Sequence, residues 1–591
     1  MRRLQKITAK IGTIYRTSLF ARCIQKLKKA YAGSVIVSFN TGGTLDGALG
    51  ESALIKKDRP SRTWYGGKIL SWCYDNAQKM LGVSFGWVAL MLGFWLLSIS
   101  ASFYFDHRNV IALLPLFCGL LLFCFSGVRT SFRQVAANSL LGRFFELDGG
   151  AKAQTQNPFV WCVIGLSAVL PTLFLPLIWA VIVPMVVTSL FLITALKPIF
   201  FITVLMFWLP IGSTAQCIVL CLLLIFSHYC HRSLHGGKKT KADYIDILLG
   251  LFAVLCLLGS LFSFAPGDSF RVSAMWLALF SSVFIIYRHI NNRQRLITVI
   301  SALLIGSFFA SCIGIWQYLS GQVDTTWTDT ELFEELSIRV YSTFANPNVF
   351  GEFLLLVLPL SVGMGLYFKK WKYRICCFIS AIVSFAALAL TYSRGCYVGI
   401  AVTALIFVWM YSKKLFAALL VIGLPVGVAM MPQNMVNRII SIGNFSDSST
   451  SYRLQIYEGT MNLLGLYWPS GLGIGETAFN YVYPFFGVQG VVAPHSHSLF
   501  FQLMISFGIA GFLYFLILLF VYHRNIISLA KTKKNGDRTL LIIFGSIFFG
   551  FLVQSIFDYT WYNYRVYAVF WMLLVMGFAT YKFMKKENAD D

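Results

Sequence analysis

Residues 295–317 read RLITVISALLIGSFFASCIGIWQ, and this stretch contains no charged side chain after its first residue. An α-helix rises about 1.5 Å per residue, so a helix of this length crosses the roughly 30 Å hydrocarbon core of a bilayer. In lipid the backbone must satisfy its own hydrogen bonds, which a helix does. The stretch therefore predicts a transmembrane helix.

The composition of the whole chain agrees with a membrane protein. Of its 591 residues, 57% are hydrophobic and 12% are charged, whereas soluble proteins carry about 25% charged residues. This excludes a soluble enzyme, a disordered chain and a disulfide-stapled secreted domain. The formal charge of +24 would suggest nucleic acid in a soluble protein, but here the topology of the membrane spans explains it, and we predict no nucleic-acid partner.

Similar apolar runs recur along the chain and predict an all-α, polytopic membrane protein with about 14 spans, between 12 and 16. The segment 159–230 is apolar but broken by five prolines, so it could hold two crossings or four. The other predicted spans lie near residues 85–105, 109–127, 244–264, 272–289, 347–367, 373–391, 395–412, 414–431, 497–522, 537–558 and 565–583.

The basic residues of the short loops predict the orientation. Alternate loops, such as RHINNRQR, FKKWKYR and HRNIISLAKTKKNGDR, are basic, and all fall on the side of both termini. By the positive-inside rule, that side is cytoplasmic. Residues 1–84 carry 15 Lys+Arg against 4 Asp+Glu. This composition is typical of an amphipathic helix that lies on anionic lipid or of a loose basic tail, and both alternatives stay open.

Two long segments, 318–346 and 432–496, fall on the opposite side, and long loops on a membrane scaffold usually carry function. We therefore predict a long extracytoplasmic loop with short helices over 432–496, and chemistry at the outer membrane surface. The predicted organisation is a basic region 1–84, an N-terminal transmembrane region 85–294 and a catalytic transmembrane region 295–585.

The basic residues predicted on the outer side are all arginines. Arginine stays charged and can bind phosphate through two parallel hydrogen bonds, although orientation bias followed by coincidence would leave the same pattern. These arginines are Arg108, Arg271, Arg339, Arg394, Arg438, Arg453 and Arg565.

Two of these arginines stand out by their context. Arg394 lies in a very short turn between two spans, where a charge indicates function, although it could also anchor the helix end. Arg453 is predicted in the first turn of an interfacial helix, where the helix amides would add to its attraction for an anion. A solvated surface arginine is the alternative there.

The motif RVYSTFANPNVFGEF at residues 339–353 contains three further candidate residues. Arg339 stands at the outer mouth of a predicted span, and Pro347 suits a first helical position. Asn346 and Asn348 could bind a sugar through their amides, or could simply cap the helix.

His495 and His497 form the motif PHSHSLFFQ at the outer start of a span. A neutral imidazole beside an acceptor hydroxyl can serve as a general base or orient it. No carboxylate or cysteine accompanies the pair in the motif, so we predict no metal. The chain has no nucleotide P-loop motif. Gly471, Gly473 and Gly475 could expose backbone amides to an anion, but a plain turn is the favoured interpretation.

Taken in chain order, these segments resemble the O-antigen ligase and O-antigen polymerase family of bacterial membrane glycosyltransferases. The matching stretches are RVYSTFANPNVFGEF (339–353), SRGCYVG (393–399), TSYR (450–453), WPSGLGIG (468–475) and PHSHSLFFQLMISFGIAGFL (494–513). The resemblance covers residues 295–585, roughly half the chain.

The resemblance implies an inverting enzyme of the bacterial inner membrane that needs neither metal nor cofactor. Its partners would be an undecaprenyl-diphosphate-linked glycan donor, a glycan or glycolipid acceptor and the lipid bilayer. Arg394 and Arg453 match arginines that engage the donor diphosphate. His497 matches the histidine that serves the acceptor hydroxyl, although Ser498 stands where the family has Asn. Arg339, Asn346, Asn348 and His495 are predicted to bind substrate.

Two alternatives stay open at this point. The motifs do not distinguish a ligase, which passes a glycan to another acceptor, from a polymerase, which extends the lipid-linked chain. A flippase or other transporter of lipid-linked sugar would also have many spans, but transporters usually carry ionisable residues near the middle of their spans. The near absence of charge there favours the enzyme.

Overall fold

The computed structural model describes residues 196–235, 242–321, 339–429 and 448–590, with a few isolated positions between 88 and 122 and residue 436. The predicted basic region 1–84, Arg108 and Arg438 lie outside the described residues, and so do most residues of the first two predicted spans. The all-α prediction is confirmed for the described residues, which contain no strand.

From residue 198 onward, the described residues form helices α1 (Pro198–Trp208), α2 (Thr214–His235), α3 (Tyr244–Leu261), α4 (Pro266–His289), α5 (Arg293–Ser320), α6 (Pro347–Tyr367), α7 (Trp371–Leu390), α8 (Arg394–Tyr411), α9 (Lys413–Ala418), α10 (Leu424–Ala429), α11 (Ser448–Tyr467), α12 (Glu476–Val482), α13 (Leu499–Ala530), α14 (Asn535–Phe557) and α15 (Tyr564–Asp590).

Ten of the helices in the described ranges, α2 to α8 and α13 to α15, are long and apolar enough to cross a bilayer. The predicted total of about 14 is not confirmed by this number, because most of residues 85–195 lie outside the described part. In α3, large apolar side chains such as Leu251, Val254 and Leu258 are exposed at helical spacing. Such a face is unfavourable in water and suits lipid.

One predicted span contains a local change in helix type. Over residues 414–431 we expected a continuous helix, but the described residues form α9, a π-helical turn at Leu419–Gly423 and α10. Pro425 lacks a backbone N–H, and a π-turn or proline interrupts the regular hydrogen-bond ladder of a helix. The described backbone nevertheless stays helical from residue 413 to residue 429, so the span predicted near 414–431 stays a prediction.

The chain divides into two compact units, Met1–Phe200 with Phe226–Ala242 and Phe201–Ile225 with Asp243–Asp591. In the first unit, the Ser227 hydroxyl donates to the Leu196 carbonyl at 3.2 Å. The second unit contains most of the described residues and all of the predicted site residues.

Within the second unit, charged groups tie one set of helix ends together. Arg293 at the start of α5 bonds Asp537 at 2.7 Å and Glu587 at 2.6 Å. Lys582 of α15 lies 2.9 Å from Asp243, which also caps α3. The basic loops connect the helices at these ion-paired ends. The segments that contain the predicted site residues connect the helices at their opposite ends.

A kink in α13 joins this helix to the segment before α12. Gly508 has φ 65°, so the Ile509 N–H cannot reach the Ile505 carbonyl. The Ile509 N–H instead donates to Trp468 O at 2.8 Å, and the Ile505 carbonyl accepts from Leu472 N at 2.6 Å. The turn 468–475 thus satisfies both groups that the kink leaves unpaired, which fixes it against the N-terminal part of α13.

Glycines allow α8 and α14 to pack closely. A Cβ at Gly550 would lie 2.6 Å from the Gly399 carbonyl oxygen and would also collide with the Thr403 side chain. Small residues at such crossings let two membrane helices approach each other. Because α8 begins with Arg394 and α14 ends beside Asp558, this packing sets the distance between two parts of the site.

We expect Gly550→Ala to destabilise the protein, because the backbone of α8 must move to accommodate the new methyl group. Overpacking of this kind costs about 1–3 kcal/mol. The matched control is Gly250→Ala in α3, where a Cβ would meet nothing within 4 Å. The melting temperature of the detergent-solubilised protein should fall for the first variant alone. Equal melting temperatures would contradict the close packing.

Candidate active site

A cavity of about 370 Å³ lies at the helix ends opposite the ion-paired set. Its size falls within the range of small-molecule sites, about 300–1,000 Å³. Its wall combines the segment before α6, the starts of α6 and α8, one face of α11 and the end of α14. The lining residues are Arg339, Asn348, Tyr392, Ser393, Arg394, Gly395, Val398, Thr450, Arg453, Leu454, Tyr457, Gln554 and Phe557.

Three of the predicted outer arginines line this one cavity, although they come from separate parts of the chain. Arg339 is held by neutral acceptors: its Nε donates to Thr391 O at 3.0 Å and its Nη2 to Asn348 Oδ1 at 3.1 Å. Arg394 and Arg453 reach the same space from α8 and α11. A cavity lined by three permanent cations is suited to a polyvalent anion.

Arg394 is the first residue of α8 and directly follows the short turn that joins α7 to α8. The preceding Tyr392 has φ 50°, a backbone conformation that non-glycine residues adopt rarely and often at functional sites. The side chain of Ser393 at the N-cap does not cap the backbone amides of the first helical turn. An anion in the cavity would therefore face both the guanidinium and a helix N-terminus.

Arg453 differs from its predicted position by one turn. The described helix α11 begins at Ser448, which makes Arg453 its sixth residue and places it in the second turn, so the helix amides do not act beside its charge. Its Nη2 instead lies 3.7 Å from Asp558 Oδ2. The side chain is 24% exposed, which is unlike a solvated surface arginine.

Asp558 was not predicted, and it connects most of the site. This buried side chain follows the end of α14, where its Oδ2 accepts from Asn348 Nδ2 at 3.1 Å. Its Oδ1 lies 3.2 Å from His497 Nδ1. Burial by itself would raise the pKa of Asp558, but the hydrogen bond from His497 and the charge of Arg453 outweigh it and hold the pKa below its usual range.

The structure brings both predicted histidines next to this carboxylate. His497 has φ 49°, and its carbonyl oxygen accepts from the Tyr457 hydroxyl at 3.1 Å. Burial raises the pKa of Tyr457 to about 12, so this hydroxyl remains a donor. The His495 Nδ1 accepts from the His497 backbone N–H at 3.2 Å, and the two rings lie 4.3 Å apart.

Asn346 and Asn348 have different positions. Asn346 caps α6, because its Oδ1 accepts from Asn348 N at 2.8 Å, and its Nδ2 donates to the Tyr562 hydroxyl at 3.1 Å. Capping is therefore its observed role. Asn348 lines the cavity and joins Arg339 to Asp558 through its side-chain amide.

The remaining outer arginines in the described residues lie away from the cavity. Arg271 is 70% exposed and pairs with Asp268 at 2.6 Å. Arg565 is buried, donates to Gly212 O at 2.8 Å and lies over the Phe344 ring, which is a structural arrangement. Within the described ranges, no three His, Cys, Asp or Glu side chains form a group that could hold a metal ion.

Residues 379–516 match the family model described as O-antigen ligase. The chain contains an O-antigen ligase domain. This domain indicates glycosyl transfer of the O-antigen ligase or polymerase type in a membrane protein. It includes Arg394, Arg453, His495 and His497, whereas Arg339, Asn348 and Asp558 lie outside the matched range. No curated protein matches the chain.

Two residues that sequence analysis missed lie outside the matched range of the O-antigen ligase domain. Asp558 stands at the end of the predicted span 537–558, directly after SIF and before YTWYNYR. A single acidic residue at this position is the sequence feature that could have indicated it. Glu352 is fully buried in α6, where its Oε1 accepts from the Ser555 hydroxyl at 2.8 Å. A carboxylate six residues into an apolar helix was the signal for this second group.

We expect His495 to make stability depend on pH. Burial, followed by the neighbouring His497, lowers the pKa of His495 from 6.5 to about 3. As pH falls below 6.5, the unfolded chain therefore binds a proton that folded His495 does not, and the folded state is disfavoured. The loss at pH 5 is about 2 kcal/mol.

His495→Asn removes this titration and keeps an acceptor for the His497 N–H. The melting temperature of the wild type should therefore fall more steeply between pH 7 and pH 5 than that of the variant. Parallel pH dependences of the two proteins would show that folded His495 binds its proton as an unfolded histidine does.

Proposed function

We propose that this protein transfers a glycan from an undecaprenyl-diphosphate-linked donor to a sugar hydroxyl at the extracytoplasmic face of a bacterial inner membrane. The observation that carries the proposal is the meeting of Arg339, Arg394 and Arg453 at one cavity, with the His497–Asp558 pair directly behind Arg453. The match to the O-antigen ligase model agrees with this reaction class.

The arginines suit the donor diphosphate. When the bond between the anomeric carbon and the diphosphate breaks, the electron pair stays on the departing phosphate oxygen. Fixed guanidinium groups therefore stabilise the transition state more than the ground state, and this difference accelerates the reaction. Because arginine cannot lose its proton, the cavity keeps this ability at any physiological pH.

His497 suits the acceptor side of the same displacement. The Asp558 carboxylate accepts the Nδ1–H of His497, which leaves the Nε2 lone pair for the proton of the acceptor hydroxyl. The acceptor oxygen forms its bond to the anomeric carbon as that proton moves to Nε2 and undecaprenyl diphosphate leaves. Direct displacement on one carbon inverts its configuration, and the arginines supply the charge that a metal would otherwise provide.

The location of the cavity supports an extracytoplasmic reaction. The ion-paired ends of α5, α14 and α15 adjoin the basic loops, which the positive-inside rule assigns to the cytoplasm. The cavity lies at the opposite helix ends. Both termini then fall on the cytoplasmic side, and the donor would enter with its lipid in the outer leaflet.

Loss of either arginine that matches the family should slow transfer strongly without preventing membrane insertion. We expect Arg394→Ala and Arg453→Ala to lower kcat by about 100- to 1,000-fold, as removal of one transition-state hydrogen-bond donor does in other enzymes. Arg271→Ala is the matched control, because Arg271 is also on the predicted outer side but lies away from the cavity.

The assay combines purified protein in liposomes with undecaprenyl-diphosphate oligosaccharide and envelope glycolipid, and mass spectrometry identifies what carries the sugar afterwards. Transfer to the glycolipid indicates a ligase, and lengthening of the lipid-linked chain indicates a polymerase. Wild-type turnover by Arg394→Ala would remove the arginine site from the mechanism. Movement of the donor across the bilayer without any transfer would support a flippase instead.

The His497–Asp558 pair should control the rate of proton removal. We expect His497→Ala to lower kcat by about 100- to 10,000-fold, and Asp558→Asn to lower it as well, because an amide no longer fixes the required ring tautomer. Asp268→Asn is the control, since Asp268 also pairs with an outer arginine but lies elsewhere. An unchanged kcat in His497→Ala would exclude this histidine as the base.

A further inference from the structure

His495 is held in a single tautomer by the backbone. Its Nδ1 lies 3.2 Å from the His497 backbone nitrogen, which can only donate. An imidazole nitrogen that accepts a hydrogen bond carries no proton, so the proton of neutral His495 resides on Nε2. Because burial lowers the pKa of His495 to about 3, the ring stays neutral at physiological pH and Nε2–H is a permanent donor.

Aromatic neighbours fix the orientation of this ring. The His495 ring stacks on Tyr562 at 5.2 Å with an interplanar angle of 18°, and Tyr559 contacts it edge-on at 5.3 Å. The Tyr562 hydroxyl is in turn held by Asn346. The donor of His495 is therefore preorganised, which lowers the entropic cost of binding a ligand.

His497 presents the complementary group beside it. Its Nδ1 faces the Asp558 carboxylate at 3.2 Å, so in the neutral ring Nδ1 carries the proton and Nε2 is the acceptor. The centroids of the two rings are only 4.3 Å apart. Among the described residues neither Nε2 has a hydrogen-bond partner, so two adjacent rings offer one donor and one acceptor to a ligand.

From this pairing we infer that the acceptor substrate is a sugar with two adjacent free hydroxyls, one deprotonated by His497 and the other bound by His495. The inference rests on the proposed function and specifies its acceptor. The nucleophilic hydroxyl donates to His497 Nε2, while the neighbouring hydroxyl accepts from His495 Nε2–H. His495 thereby determines which hydroxyl faces the anomeric carbon.

The first experiment analyses the product. Wild-type protein is incubated with undecaprenyl-diphosphate oligosaccharide and envelope glycolipid, and methylation analysis locates the newly substituted hydroxyl. We expect a free hydroxyl on a carbon next to the new linkage. A linkage flanked on both sides by deoxy, acetamido or substituted carbons would overturn the inference while leaving the proposed function intact. Absence of any transfer would contradict the proposed function itself.

The second experiment compares two variants that each keep one half of the imidazole. His495→Asn keeps an acceptor near the Nδ1 position for the His497 N–H, whereas His495→Gln keeps an amide donor near the Nε2 position. We expect Asn to lose about tenfold in kcat/KM for the acceptor, the effect of one hydrogen bond, and Gln to retain more activity. The reverse order would assign His495 a structural role only.

The third experiment couples the residue to the substrate. An acceptor that lacks the neighbouring hydroxyl should react about tenfold more slowly with the wild type, and His495→Asn should cause no further loss with that acceptor. Independent losses that multiply would overturn the contact. Arg271→Ala is the control, because Arg271 is exposed and lies away from the cavity, so this variant should show the wild-type preference. Detection of the Nδ1–H tautomer by ¹⁵N NMR of labelled histidine would also contradict the inference.

Discussion

The carboxylate of Asp558 is the contact on which the rest of the site depends. It receives Asn348 from the start of α6, His497 from the segment before α13 and the charge of Arg453 from α11. A buried charge is stable only when it is paired and its lone pairs are hydrogen-bonded. This one carboxylate therefore requires three distant segments to meet, and each of them carries a residue with a part in the proposed reaction.

The same carboxylate also separates the two halves of the site. On one side lie the arginines of the cavity, and on the other lies the pair of histidines. A diphosphate would be repelled by Asp558 and attracted by Arg339, Arg394 and Arg453, so in the proposed function it binds on the side of these arginines. The anomeric carbon then points toward His497, and the negative charge of Asp558 favours the imidazolium that proton transfer creates.

Sequence reasoning identified the cations of the site but not the anion that organises them, and the cause is physical. Lysine and arginine are depleted on the outer side of membrane proteins, so an outward arginine is conspicuous, whereas Asp and Glu contribute little to orientation. Asp558 therefore had no comparable signal. The helices followed from apolar run length, with α6 at its predicted bounds, but the break at Leu419–Gly423 depends on local backbone geometry. Arg565 shows that an arginine predicted on the outer side can be structural rather than substrate-binding. Its buried contacts with Gly212 and Phe344 come from distant parts of the chain and cannot be seen in the sequence.

The exchange of hydrogen bonds at Gly508 explains why two of the motifs occur together. A kink in an apolar helix leaves a backbone N–H and a carbonyl without partners, and in a membrane neither can turn to water. The turn 468–475 supplies both partners, and its positive-φ glycines permit the close approach, since a Cβ at Gly471 would lie 2.6 Å from the Ile505 carbonyl oxygen. The kink and the turn therefore require each other. Because α11 ends just before this turn and His497 just precedes the kinked helix, the pair of motifs sets the position of Arg453 relative to His497. The glycines of WPSGLGIG thus contribute to the site through backbone packing rather than through contact with an anion.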